Sequence, residues 1–149
     1  MKQFFGMSQS GDLQEAVRGV SNPQLIMLFS NGDQFEEHVK KLEALFPNIP
    51  SIGCIGMSYD TRVVEKGVGV LAFSDGVSVA VNVLEQASTM PVKYIERLEK
   101  DVSEINASQK DTICIDLCSG NDACVLTTIH SVLKRKNISL VGGTGDAGK

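Results

Sequence analysis

The residues able to do chemistry in this chain gather at glycine-containing corners. Ser10-Gly11-Asp12, Ser30-Asn31-Gly32-Asp33, Ser119-Gly120-Asn121-Asp122 and Thr144-Gly145-Asp146 each follow a stretch that reads as a strand. Glycine lets the backbone turn sharply, while Asp, Asn or Ser accepts hydrogen bonds from the open N–H groups of the next helix. Repeated helix capping is the plain reading. The functional reading adds geometry: in an open parallel sheet the carboxyl ends of the strands share one edge, and ligands bind there. These corners and the Gly53-Cys54-Ile55-Gly56 turn are therefore expected to rim one crevice, with main-chain N–H groups approachable by an anionic or zwitterionic ligand. The expected ligand-binding residues are Ser30, Asn31, Gly53, Cys54, Gly56, Asp116, Ser119, Gly120, Gly143 and Asp146. Asp116, near the end of a buried strand, needs a partner there, either backbone groups or the ligand.

Other chemistries fit the sequence less well. GTGDAGK (143–149) matches the spacing G-x-x-x-x-G-K of a phosphate-binding loop, but no Ser or Thr follows to hold magnesium. Cys114, Cys118 and Cys124 lack the paired spacing of structural zinc sites, so no metal or cofactor is expected. Cys114 and Cys118 belong to a buried strand, where cysteine acts as a small hydrophobe. Cys54 and Cys124 are the better candidates for reactive thiols, each placed near a helix N-terminus that lowers a thiol pKa. Of the two histidines, His38 neighbours Glu36, Glu37, Lys40 and Lys41 and is expected to face solvent. His130 lies in the fourth helix, away from the strand ends, so a Cys–His pair is not expected.

The elements that must hold these corners alternate along the chain. Residues 2–8 read as a strand, and Leu13, Ala16, Val17 and Val20 repeat at helical spacing before Pro23. LIMLF (25–29) is a short continuous apolar run of the kind buried in a parallel sheet. Phe35, Val39, Leu42 and Leu45 mark a helix ending before Pro47, and a third strand covers roughly Ser51 to Cys54. GVGVLAFSDGVSVAVNVL (67–84) is two alternating runs around Asp75-Gly76, a preferred hairpin pair. Pro91 opens a helix striped by Ile95, Leu98, Val102 and Ile105. A strand at 112–117, a helix striped by Val125, Leu126, Ile129, Val132 and Leu133, and a strand from 138 complete the order. The expected fold is α/β, with a mainly parallel sheet, helices on its faces and one antiparallel hairpin at 67–84. No linker divides it, so 1–149 reads as a single domain. Because Asp146 stands where a further helix should open, the domain is read as truncated at its C-terminal end.

Composition narrows the partners. A net charge of −4 without a basic face argues against nucleic acid. The one basic run, Lys134-Arg135-Lys136, sits at a helix end, where it complements the helix dipole. No stretch approaches the roughly 20 apolar residues of a membrane span, and the N-terminus lacks a secretory signal pattern. The chain reads as cytoplasmic, which its scattered cysteines also suit.

Taken in order, LIMLFSNG (25–32), FPNIPSIGCIG (46–56), GVGVLAF (67–73), IDLCSGND (115–122) and ISLVGGTGDAG (138–148) resemble the FIST N-terminal domain, a prokaryotic sensory module. The resemblance spans nearly the whole chain. Three departures lie on the proposed rim: Gly56 precedes Met57-Ser58 rather than Glu, Asp116-Leu117-Cys118-Ser119-Gly120 replaces an Asp-Gly corner, and Gly145 stands where Ala is common. The resemblance implies a sensor of small molecules, amino acids among them, beside a FIST C-terminal domain. It also implies an output module such as a methyl-accepting chemotaxis domain. Three functions follow: a non-enzymatic ligand-binding sensor, a thiol-dependent or nucleotide-hydrolysing enzyme, and a scaffold that binds only protein. Stabilisation by a small molecule separates the first from the third. Turnover that depends on Cys54 or Cys124 would mark the second.

Overall fold

The computed structural model describes residues 1–56, 58–59, 62–63, 66–85, 90–119 and 122–145. Two compact units divide the chain, the first spanning Met1–Val81 and the second beginning at Asn82.

In the first unit, strands β1 (Lys2–Ser8), β2 (Leu25–Ser30) and β3 (Ser51–Ile55) run in one direction. Two short strands, β4 (Ser58–Tyr59) and β5 (Arg62–Val63), pair with each other. Strand β6 (Val68–Ser74) runs the opposite way and lies between β1 and β2, giving the order β1-β6-β2-β3. The sheet is therefore mixed, which corrects the expectation of a mainly parallel one. The same placement explains why 67–84 does not form a hairpin. Asp75 and Gly76 do take the positive φ values of a tight turn, 58° and 79°. However, β1 and β2 already occupy both hydrogen-bonding edges of β6, so the second half of the expected hairpin has no edge to join.

Helices α1 (Leu13–Ala16) and α2 (Phe35–Leu45) pack on one face of this sheet. Alternation along the strands turns Ile26, Leu28, Val68, Val70 and Ala72 to that face, where Leu13, Ala16 and Leu42 complete a buried cluster. Gly6 allows the close approach of α1, since a Cβ there would lie 1.9 Å from the carbonyl oxygen of Ala16. Helix α1 is shorter than its apolar spacing suggests. Gly19 turns the chain beneath the Phe4 ring, where a Cβ would meet Cε2 at 2.3 Å.

In α2 the buried stripe is Phe35, His38 and Leu42, while Val39 and Leu45 are 41% and 42% exposed. His38 is 1% exposed, which overturns its expected place in solvent. The helix is turned so that the imidazole, not Val39, meets the sheet.

The second unit pairs β7 (Ile113–Cys118) with β8 (Ser139–Thr144) in parallel. A 3₁₀ turn at Pro91–Tyr94 leads into α3 (Ile95–Glu104), and α4 (Asp122–Leu133) follows β7. Ala107, Val125, Ile129, Leu133 and Ile138 form its core, with Leu98, Val102, Cys114 and Leu140 packed against it. Among the described residues, no helix is long and apolar enough to cross a membrane.

Candidate functional site

The strand ends of the first unit align in one row. Ser8 of β1 lies opposite Val68 of β6, Val68 opposite Ser30 of β2, and Ser30 opposite Ile55 of β3. Three parallel strands thus finish at the same level; β1 continues into Ser10-Gly11-Asp12 and β2 into Asn31-Gly32-Asp33, both polar, and β3 into Gly56.

Buried polar groups hold these corners together. The hydroxyl of Ser30 lies 2.6 Å from Nδ1 of His38, and Nε2 of His38 lies 2.8 Å from the carbonyl oxygen of Gly11. A carbonyl only accepts, so Nε2 is the donor; in a singly protonated ring Nδ1 then accepts from the Ser30 hydroxyl. The carbonyl of Asn31, 3.2 Å away, is the hydroxyl's alternative acceptor. One imidazole therefore joins the corner after β1 to the corner after β2. Around it, Ser8 Oγ accepts from the amide of Asp12 at 3.1 Å and stands 3.0 Å from Ser10 Oγ. Asp12 Oδ1 accepts from the amide of Gln14 as the cap of α1, and Asn31 Oδ1 accepts from the amide of Gln34 before α2. The capping expected of these corners is present at Asp12 for α1, whereas α2 has no side-chain cap.

The expected site residues fall into two sets. Ser30 and Asn31 are 0% and 6% exposed, so their side chains serve the fold's internal network. Gly56 follows β3, and its amide donates to the carbonyl of Ser30 at 2.8 Å rather than pointing outward. Among the described residues, a Cβ at Gly56 would meet nothing within 4 Å. Gly53 is a packing residue: a Cβ there would lie 2.4 Å from the carbonyl oxygen of Leu28. Cys54 is half-buried, and burial pushes its thiol above the usual range, against the expectation of a lowered pKa.

The second set belongs to the other unit. Asp116 of β7 lies opposite Gly142 of β8 and Leu117 opposite Gly143. Gly142 has φ +152° and sits so close to β7 that a Cβ would lie 1.8 Å from the carbonyl oxygen of Asp116. Ser119 is exposed just past β7, beside the end of β8, where the amide of Gly145 donates to the carbonyl of Cys118 at 2.9 Å. Among the described residues, a Cβ at Gly143 would also meet nothing within 4 Å. Gly120 and Asp146 lie outside the described residues. Burial and the Asp116 carboxylate together push the Cys114 thiol up to about 11. Among the described residues, no cluster of His, Cys, Asp and Glu could hold a metal ion.

Sequence reasoning missed His38, Ser8 and a groove beside the first corner. That groove, about 420 Å³, is lined by Asp12, Leu13, Gln14, Lys41, Ala44 and Leu45. Only the helical spacing of Phe35, His38 and Leu42 could have signalled the buried imidazole. Nothing in the sequence places Lys41 along the same groove as Asp12; its ion pair is with Glu37, at 2.6 Å.

Polar corners at the ends of parallel strands, beside a helix-covered mixed sheet, mark an α/β module. More particularly, the chain belongs to the FIST N domain family, whose family model matches residues 24–149. Membership is consistent with a sensory domain of signal transduction. No curated protein and no solved structure matches the chain.

Proposed function

We propose that this chain is the sensing module of a signal-transduction protein. It binds a small ligand without turning it over, at the strand ends of the first unit. Binding biases an adjoining domain, such as a FIST C-terminal domain or a methyl-accepting chemotaxis module. The observation that carries this reading is the convergence of three parallel strand ends on one row, with no described residue within 4 Å of a Cβ built at Gly56. Charge narrows the ligand. Asp12 and Asp33 belong to these corners and Glu36 lies in the first turn of α2, which disfavours a purely anionic compound, while Lys41 in the neighbouring groove is ion-paired to Glu37 at 2.6 Å and brings both signs to it. A zwitterion such as an amino acid suits both signs. Binding without turnover is supported by the two thiols whose pKa values burial raises, Cys54 and Cys114. Neither is activated as a nucleophile.

The test is a thermal-shift and calorimetric screen of amino acids and related zwitterions. A binding compound must raise Tm, because it stabilises only the native state. Gly56→Val places its Cβ with no described residue within 4 Å, and the folded variant should weaken binding at least about tenfold, or roughly 1.4 kcal/mol. A panel without a single stabilising compound contradicts the sensor reading. Unchanged affinity in the folded Gly56→Val protein contradicts the location.

A further inference from the structure

Residues 77–84 (VSVAVNVL) have the alternation of a strand, yet they form no ladder. The amide of Val77 donates to Oε1 of Gln24 at 2.9 Å, and Nδ2 of Asn82 donates to Asp101. Among the described residues, no backbone–backbone hydrogen bond involves residues 78–84. Ser78 and Ala80 are exposed, and Val83 is 66% exposed. The cause is the one given above: β6 has no free edge for this run.

An unladdered run of β-branched residues is a template for another strand, and proteins blunt such runs with Lys, Pro or a bulge. None of these protects 77–84, which contains no charge, proline or glycine. The run also reads almost the same in both directions about Ala80. Val79 mirrors Val81, Ser78 mirrors Asn82, and Val77 mirrors Val83. In an antiparallel pair, residues directly opposite share a face and contact each other. A two-fold pairing centred on Ala80 thus sets each valine against a valine and Ser78 against Asn82, with Ala80 on the axis. Such self-matching is what an isologous dimer contact requires. With no charge in the run, two copies meet without repulsion at the contact, although each carries a net charge of −4.

We propose that residues 77–83 pair antiparallel with the same residues of a second copy, making the chain a dimer through a two-fold strand junction. One strand pair is a small interface, so the dimer dissociates on dilution, with a Kd of roughly 1–100 µM.

Sedimentation of the 149-residue chain from about 1 µM to about 500 µM brackets that range. The expected result is a monomer–dimer equilibrium. Val79→Lys or Val81→Glu alone should weaken it at least about tenfold, whereas an equimolar mixture of the two should restore a heterodimer, because position 79 of one copy faces position 81 of the other. Ala80→Cys should give, on oxidation, a disulfide joining position 80 of two copies. Peptide mass mapping distinguishes it from links through the four native cysteines. This cross-link also serves if the charged variants fail to fold. The proposal is overturned by a chain that stays monomeric throughout, by a dimer indifferent to the folded Val79→Lys variant, or by cross-links that avoid position 80.

Discussion

His38 is the residue whose removal should cost the first unit most per atom lost. Its ring is 1% exposed and bonds the Ser30 hydroxyl on one side and the Gly11 carbonyl on the other. His38→Ala leaves both groups buried without that partner and opens a cavity. A loss of about 2–4 kcal/mol is expected in urea or guanidinium unfolding. His38→Gln, whose amide can reach toward the Gly11 carbonyl, should recover part of it. A loss below about 0.5 kcal/mol in the alanine variant would mean that the corners hold without the imidazole. Cys114 gives a pH prediction of definite sign. Its folded pKa is raised from 9.0 to about 11, so the folded chain keeps the thiol proton more tightly than the unfolded chain does. The stabilisation is present below pH 9 and is lost as pH rises toward about 11. Wild type should therefore lose more stability than Cys114→Ala across that window, as measured by denaturation at successive pH values. Equal losses in the two proteins would contradict the raised pKa.

At the scale of elements, the features legible in the sequence were those fixed by short-range pattern. Leu25-Ile26-Met27-Leu28-Phe29 announced β2, the Phe35-to-Leu45 spacing announced α2, and Pro91 marked the entry toward α3. Asp12 was readable as a cap because a short acceptor before a helix has one common use. What could not be read was decided by pairing between distant segments. Val77 to Val83 alternate as cleanly as Val68 to Ser74. Only the capture of both β6 edges, by residues some sixty positions earlier and by β2, denies them a ladder. His38 was misread for a related reason. Val39 fits the apolar stripe better by composition, but two hydrogen bonds to groups 8 and 27 residues away outweigh one exposed methyl pair. The candidate site divides similarly. Its polar corners are written in the Gly, Ser, Asn and Asp positions, whereas the use of the Gly56 amide within the sheet follows from strand register, which no local motif records.

At the scale of the whole molecule, the chain carries two apolar clusters rather than one. Leu28, at 2% exposure, anchors the first beneath α1 and α2, while Ile129 of α4, at 6%, anchors the second with Leu98 and Val102 of α3, Cys114 of β7 and Leu140 of β8 packed against its cluster. Each cluster is drawn from the strands and helices of one unit. The family match, from residue 24 onward, takes in both. Truncating either anchor to alanine should cost about 2–5 kcal/mol, through lost transfer energy and the cavity left behind. Where that cost appears is the informative part. Cooperative opening units tend to coincide with contiguous packed motifs. Hydrogen exchange followed by mass spectrometry should therefore show Leu28→Ala accelerating exchange chiefly in β1, β2, β6 and α2, and Ile129→Ala chiefly in α3, α4, β7 and β8. Equal acceleration along the entire chain in both variants would show that the two clusters open as one. A ligand seated at the first unit's strand ends would then have to stabilise the second unit equally.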